Sequence, residues 1–377
     1  MIAFDVTPLQ SEHRFRGVGT YTRELALRLA EHYPEQVVFI GTSQDKHLLP
    51  VPILERAILS WRPHRPAQVY WVYNEWFLPH MIRRARPSIF HATDFNGTVT
   101  IPGVRTVATL HDAIGLISKN LSPNLSGLLS AWRWKIYYQR KIPRSDYVIA
   151  ISDQTQRDAT DRLGVPQQQI SVIPHGIDLN HYKPIRNSGQ FASRPPYVLY
   201  VGSRDPHKNV AGALEAFVMV ARAIPDVCLY VAGRWKPADC AWLKAETSAR
   251  PELRGRVEHV GFVADDDMAS LYANAEVFLF PSLAEGFGLP ILEAMACHTP
   301  VVSSNRGSLP EVAGNAAVLC DPDDASGLGE AVTRLIQNRA LREDFIDRGS
   351  ARVREFSWDR VLEKTIAVYR AVDPAAI

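Results

Sequence analysis

Along the chain, short runs dominated by apolar and β-branched residues alternate with stretches of mixed polarity long enough for a helix. The first half contains MIAFDV, VVFI, IFHA, TVATLH and YVIAI, and the second restarts the rhythm with YVLYVG, CLYVAG, VEHVGF, VFLFPS, PVVSS and AAVLC. A strand buried on both faces has no polar side to alternate, so these runs predict parallel sheets with helices on either face. Two series in tandem predict an α/β protein of two Rossmann-like, doubly wound domains, with ligands at the carboxyl ends of the strands. Residues 181–196, HYKPIRNSGQFASRPP, are rich in Pro, Ser, Gly and charge with little to bury, and read as the linker between domains over 1–180 and 197–355. Residues 356–377 carry apolar side chains at Val361, Leu362, Ile366, Val368 and Tyr369, a helical spacing, and supply more helix than the second domain needs.

A length of 377 residues suits two domains, and 46% apolar with 22% charged residues excludes a disordered chain. No apolar stretch reaches the roughly 20 residues of a spanning helix. The opening MIAFDVTPL has no basic leader and reads as a buried first strand, so a cytoplasmic location is expected. Cys228, Cys240, Cys297 and Cys320 form no CxxC pair, which suits a reducing compartment and offers no zinc signature. Residues 1–184 hold 21 Lys and Arg against 15 Asp and Glu, a balance of +6, and residues 185–377 hold 21 against 25, a balance of −4. The basic half favours an anionic acceptor or surface, and the excess is too small for nucleic acid.

The chemistry concentrates in PSLAEGFGLPILEAMA, residues 281–296, directly after the strand VFLF. Glu285 and Glu293, separated by seven residues, flank a loop with Gly286 and Gly288 and a helix opened by Pro290. Proline in a first turn lacks only an N–H that has no helical partner anyway, so the helix starts where the glycines end and turns its N–H groups and positive dipole end toward the loop. Small residues let backbone approach a phosphate, and flanking acids accept hydrogen bonds from hydroxyls. A nucleotide sugar has that layout.

This segment resembles the E-x7-E signature of glycosyltransferase family 4, retaining glycosyltransferases with the GT-B fold of two facing Rossmann-like domains. The resemblance implies that Glu285 contacts the donor sugar, Glu293 the ribose, and amides at Gly286, Phe287, Gly288 and Leu289 the diphosphate. VGSRDPHKN, residues 201–209, is similar to the family's cationic loop, with Lys208 in place to stabilise the departing diphosphate. Ser203 stands where the family usually has Arg, and Arg204, one position later, is the candidate substitute. HVGFV resembles the strand edge that meets the base, through Gly261 and Phe262, and LPEVAGNAA resembles the stretch closing the pocket, with Glu311. In the first half, FRGVGTYTREL supplies Arg16, Gly17, Gly19 and Tyr21 before a helix expected to begin near Tyr21. There the resemblance implies that Gly17 and Gly19 reach the diphosphate, and Arg16 and Tyr21 the acceptor. TLHDAIGL ends a strand with His111, a family-type contact to the donor sugar, and Asp112, an acceptor candidate. The family's last helix crosses back to the first domain.

Family behaviour further implies retention without a protein nucleophile and no cofactor. No DxD motif stands near a strand end in a donor-binding position, and the run Asp265 to Asp267 reads as a helix cap, so no metal is expected to be required. The donor is read first as GDP-mannose and second as a UDP-hexose, and the acceptor as a saccharide or a lipid-linked saccharide. A sugar-nucleotide epimerase or a noncatalytic sugar-nucleotide-binding subunit would keep much of this pattern, whereas a dinucleotide oxidoreductase would need G-x-G-x-x-G directly after a strand. Residues 71–86 and 128–144 mix aromatics, including Trp132, Trp134, Tyr137 and Tyr138, with Arg and Lys. That mixture suits weak peripheral contact of the first domain with an anionic membrane, and also an ordinary amphipathic helix.

Overall fold

Each of these apolar-rich runs becomes a strand. The computed structural model describes residues 1–60, 76–94, 97–117, 139–185 and 189–377. The chain divides into one unit of Met1–Gly176 with Ser357–Ile377 and a second of Ile177–Phe356.

In the first unit the strands are β1 (Ile2–Asp5), β2 (Val37–Thr42), β3 (Ala57–Ser60), β4 (Ile89–Ala92), β5 (Arg105–Leu110), β6 (Tyr147–Ala150) and β7 (Ile170–Val172). They form one sheet in the order β3-β2-β1-β4-β5-β6-β7, parallel throughout, with Ile2 opposite both Val37 and Ile89. All four residues of β1 and of β4 are buried, as two-sided coverage by helices requires. The helix Gly17–His32 covers one face through Tyr21, Leu25 and Leu29. It begins four residues before the expected start at Tyr21, because its first turn packs on the 3-10 turn Glu12–Phe15. A Cβ on Gly19 would lie 2.5 Å from the Arg14 Cα and 2.6 Å from the His13 carbonyl oxygen, so only glycine fits.

The helix Trp358–Val372 belongs to this unit. Trp358, Val361, Leu362, Ile366, Val368 and Tyr369 join Phe4, Tyr21 and Leu25 in one core, and Arg28 pairs with Asp359 at 3.0 Å.

In the second unit β8 (Tyr197–Val201), β9 (Cys228–Ala232), β10 (Val257–Gly261), β11 (Val277–Phe280), β12 (Val301–Ser304) and β13 (Val318–Cys320) form a parallel sheet in the order β10-β9-β8-β11-β12-β13. Its core packs Tyr200, Val210, Phe217, Val231 and Leu279. The chain passes between units at Gly176/Ile177, ahead of residues 181–196, so His181 and Tyr182 lie inside the second unit. Asp265 to Asp267 are not the cap of the helix Asp265–Ala273. Ala264 occupies the cap position without a side-chain bond, and the three acids fill the first turn, where they face the positive dipole end. Trp132, Trp134, Tyr137 and Tyr138 lie outside the described residues. Among the described residues no helix is long and apolar enough to cross a membrane.

Candidate functional site

The strand order of the second sheet reverses between β8 and β11. In open parallel sheets that reversal splays the following loops apart and leaves room for a ligand. The loop after β8 runs through Ser203 and Arg204 into the 3-10 turn Pro206–Lys208, and the loop after β11 carries Glu285 to Gly288 into the helix Leu289–Ala296.

Three polar ties hold the two loops together. Asn209, in the left-handed region at φ 54°, caps the helix Val210–Ala223 and donates its side-chain amide to the Pro281 and Pro322 carbonyls at 3.1 and 2.9 Å. The Leu283 amide donates to the His207 carbonyl at 2.7 Å. The Lys208 ammonium bridges both oxygens of Glu285 at 2.7 and 2.9 Å, each side chain only slightly exposed. The two loops thus hold one anion and one cation in fixed register, so neither group has to be reoriented to meet a charged ligand.

The helix Leu289–Ala296 is capped by Gly288, whose φ of 112° would strain any side chain, and a Cβ there would fall 2.7 Å from the Leu309 Cδ2. Phe287 is buried and packs edge-on to Phe356 at 5.9 Å. Fully buried Ser308 approaches the Glu285 and Phe287 carbonyls at 3.0 and 2.8 Å. Its single hydroxyl proton is shared between two points of this loop.

Glu293 sits in the second turn of that helix, half-buried rather than on a solvated first turn. Tyr272 donates its phenol to Glu293 Oε2 at 2.8 Å, and Tyr182 donates to the same carboxyl. Burial nevertheless pushes Glu293 up to about 7.

Beside this centre, Gly202 and Gly233 directly follow β8 and β9, and β10 ends in Gly261. A Cβ on Gly233 would fall 2.3 Å from the Gly202 carbonyl oxygen. Trp235 donates to that carbonyl at 2.7 Å, and its ring tilts over His259 at 4.9 Å. Phe262 is exposed with the Arg234 guanidinium 4.8 Å above its ring. Arg204 is not brought to Lys208 and Glu285. Its guanidinium pairs with Asp239 at 3.1 Å and lies 4.4 Å over the Trp242 ring, both on the helix Pro237–Ala249, while Ser203 turns to Asp205 at 2.6 Å.

The first unit gathers polar groups of another kind. His111 bonds the Thr93 carbonyl through Nε2 at 2.8 Å, which makes Nε2 the protonated nitrogen and Nδ1 the acceptor. Burial pushes His111 down to about 4, so it is neutral at physiological pH. His91 joins Tyr369 at 2.5 Å to Thr109 at 2.8 Å, and Thr109 meets the Tyr21 hydroxyl at 2.9 Å. Burial holds His91 down at about 3.

Tyr21 is therefore a correction to the acceptor assignment. Its side chain has no exposed surface, stacks on His175 at 5.3 Å and spends its hydroxyl on Thr109. Asp112 bonds the Ile114 amide at 2.9 Å and so starts the short helix Ile114–Ile117. Arg16 is exposed at the N-cap of the helix Gly17–His32, which opens with Gly17. Glu311 lies in the first turn of the helix Leu309–Ala313, whose carbonyls at 311 and 312 receive Arg352.

Asn209, Ser308, Tyr182 and Tyr272 escape sequence reasoning. For Asn209 a signal existed, an Asn directly before an apolar helical run. Tyr182 stood in a stretch read as linker, and Tyr272 is an unremarkable aromatic in an amphipathic helix.

Two doubly wound units, one with an acid, a lysine and a helix N-terminus at its switch point, define the GT-B glycosyltransferases. The chain belongs to glycosyltransferase family 4. That family matches residues 15–181, and the Glycosyl transferases group 1 family matches residues 182–352. The chain is 32% identical to the MMP alpha-(1->4)-mannosyltransferase of Mycolicibacterium hassiacum, with 94% of each chain covered. It is 28% identical to O-antigen chain mannosyltransferase B of Escherichia coli over 98% of this chain and 99% of the relative. Among solved structures, the sucrose-phosphate synthase of Thermosynechococcus elongatus superposes with a TM-score of 0.80 at 22% identity, with 99% of each chain covered. Anabaena HepE in complex with UDP and glucose gives 0.75 at 19%, covering 98% of this chain and 99% of that one.

Proposed function

We propose that this glycosyltransferase is a retaining hexosyltransferase that moves mannose from GDP-mannose to a saccharide or lipid-linked saccharide acceptor. The observation that carries the reading is the Lys208 and Glu285 pair set against the N-terminus of the helix Leu289–Ala296, with Glu293 one turn further on. Glu285 holds the sugar hydroxyls and Glu293 the ribose, while Lys208 and the loop amides take up charge on the leaving diphosphate. The bond from the anomeric carbon to the phosphate oxygen breaks, the acceptor oxygen bonds that carbon from the same face, and the acceptor proton passes to the departing phosphate. His111, neutral and accepting at Nδ1, is assigned to the donor sugar. No metal or cofactor is assigned a step, and turnover in excess EDTA is the expected result.

Relatives named as mannosyltransferases support mannose, and HepE, solved with UDP and glucose, supports a UDP-hexose as the second reading. Thermal shift with GDP, UDP, GDP-mannose and UDP-glucose separates the two, because a ligand of the folded state alone raises its stability. NMR of the transferred sugar then reads the anomeric configuration, and inversion overturns the retaining assignment. We also propose a cytoplasmic enzyme in weak, salt-sensitive contact with anionic membranes through the first unit, where exposed Trp76 and Phe77 precede Arg83, Arg84 and Arg86. Sedimentation with anionic but not neutral liposomes at low salt is expected, and absence from both pellets removes the membrane contact.

A further inference from the structure

Glu293 is a carboxyl placed mostly out of water, and something must fix which way it points. Tyr272 occupies the last turn of the helix Asp265–Ala273 with no exposed surface. Its ring meets Phe278 edge-on at 5.3 Å, and its carbonyl receives the Thr299 hydroxyl at 2.6 Å, so the phenol delivered to Glu293 Oε2 comes from a ring that cannot swing. Tyr182 packs edge-on against Tyr272 at 6.3 Å and delivers the second phenol. His181 is tied in turn, with Nε2 donating to the Asp265 carbonyl at 2.9 Å.

We propose that Tyr182 and Tyr272 are positioning residues for Glu293, fixing its carboxylate to receive the donor's ribose hydroxyls. The inference rests on the ribose role assigned to Glu293 above. Two phenols occupy part of the carboxylate's four lone-pair directions and leave the remainder to accept from a vicinal diol. They also favour the charged form against a burial cost that works the other way, and that opposition leaves Glu293 at about 7. Asp265 raises it further, His181 lowers it, and the neighbouring Cys297 thiol, itself pushed up to about 12 by burial, is uncharged. Both phenols are pushed up by burial and remain donors throughout the working range.

The sign of the pH effect follows. Protonated Glu293 loses the ability to accept two ribose hydroxyls, so donor affinity falls as pH drops through about 7. Removing one phenol removes a stabiliser of the anion, so the midpoint moves to higher pH. The test measures GDP and UDP affinity of the full chain by calorimetry from pH 6 to 8.5. Glu293→Gln supplies the baseline that contains only the nucleotide's own titration. Tyr272→Phe and Tyr182→Phe keep the rings and delete only the hydroxyls. Wild type is expected to bind about tenfold more weakly at pH 6 than at pH 8.5 beyond that baseline, following one proton per tenfold per pH unit. Each Phe variant is expected within about twofold of wild type at pH 8.5 and several-fold weaker at pH 7. Equal weakening at every pH shows a merely structural role and overturns the inference, as does an unmoved midpoint in both Phe variants while Glu293→Gln weakens binding. If Glu293→Gln binds both nucleotides like wild type, the ribose role itself fails.

Discussion

In the unit Ile177–Phe356, the loops after β8 and β11 present Lys208, Glu285 and the N-terminus of the helix that carries Glu293, with the Lys208 and Glu285 pair still in contact with water. In the other unit, whose sheet has the same kind of strand-order reversal, His91 of β4 and Thr109 of β5 join Tyr21 and Tyr369 of two covering helices in a chain of hydrogen bonds sealed from solvent. One doubly wound topology thus supports two chemistries, because the sheet determines where loops converge and only the loop side chains determine the charge there. In the function proposed above, the charged centre meets charge that changes during the reaction. The neutral one hardens a core, and presents His111 to its surroundings as an uncharged acceptor.

The sharpest way to break this contrast is at Glu285 and Lys208. Glu285→Gln is expected to lower transfer by roughly a hundred- to a thousand-fold, the range for deleting one preorganised electrostatic partner, with the circular dichroism spectrum unchanged. Lys208→Ala is expected to lower kcat by a larger factor than it raises KM for the donor, since charge on the diphosphate grows as the bond breaks. Near-normal steady-state rates for either variant remove that residue from the centre.

Acidification is the next largest effect, and it drives the two units in opposite directions. His91 and His111 are held near 3 and 4, below the 6.5 of an unfolded histidine, so their contribution is complete above pH 6.5 and is lost as pH falls through that window. At pH 5 each costs the first unit about 2 kcal/mol, at 1.36 kcal/mol per unit of pKa. Glu293, held near 7 against 4.5 unfolded, binds its proton more tightly in the folded state, so the second unit gains up to about 2 kcal/mol between pH 7.5 and pH 5. Hydrogen exchange corrected for intrinsic rates and read unit by unit should show opposite trends, with Glu293→Gln abolishing the gain. Parallel trends in both units contradict the assignment.

Ser308→Ala tests the support beneath the charged centre. Losing a buried hydroxyl shared between two carbonyls costs about 1 kcal/mol, which corresponds to donor binding weakened about fivefold if the loop is what holds the diphosphate. Unchanged affinity in a direct titration places the hydroxyl's role in stability alone. The smallest effect belongs to Arg204→Ala. Its pair with Asp239 and its stacking on Trp242 lie at the surface, where such contacts are worth under about 1 kcal/mol each. Donor affinity and rate within about twofold of wild type are therefore expected, and a hundred-fold rate loss would restore Arg204 to the reaction.

Much of this architecture is legible in the sequence, because a run such as VFLF has no polar face and can only be buried on both sides. The placement of Glu285 before and Glu293 after a glycine turn was legible from local signals, since Gly288 and Pro290 mark where the helix starts. The start of the helix Gly17–His32 was not, because it depends on how closely Gly19 approaches the backbone of Arg14, a contact with no local signature. The fate of Tyr21 was equally hidden. An amphipathic helix shows which face turns inward but not whether a phenol on it finds a partner 88 residues away.

What the sequence by itself determined is therefore what repeats at short range: strand and helix order, two sheets, and the carboxylates, lysine and glycines of the charged loops. What only the tertiary structure decided is which of these groups meet. Lys208 and Glu285 lie 77 positions apart and touch only because β8 and β11 are neighbours in the sheet. Arg204, four positions before Lys208, is carried instead to Asp239 and Trp242, since a guanidinium follows the nearest carboxylate and ring its loop can reach. The charge state of Glu293 belongs to the same category: burial raises it and two phenols lower it, and both follow from packing between segments that the chain order keeps apart.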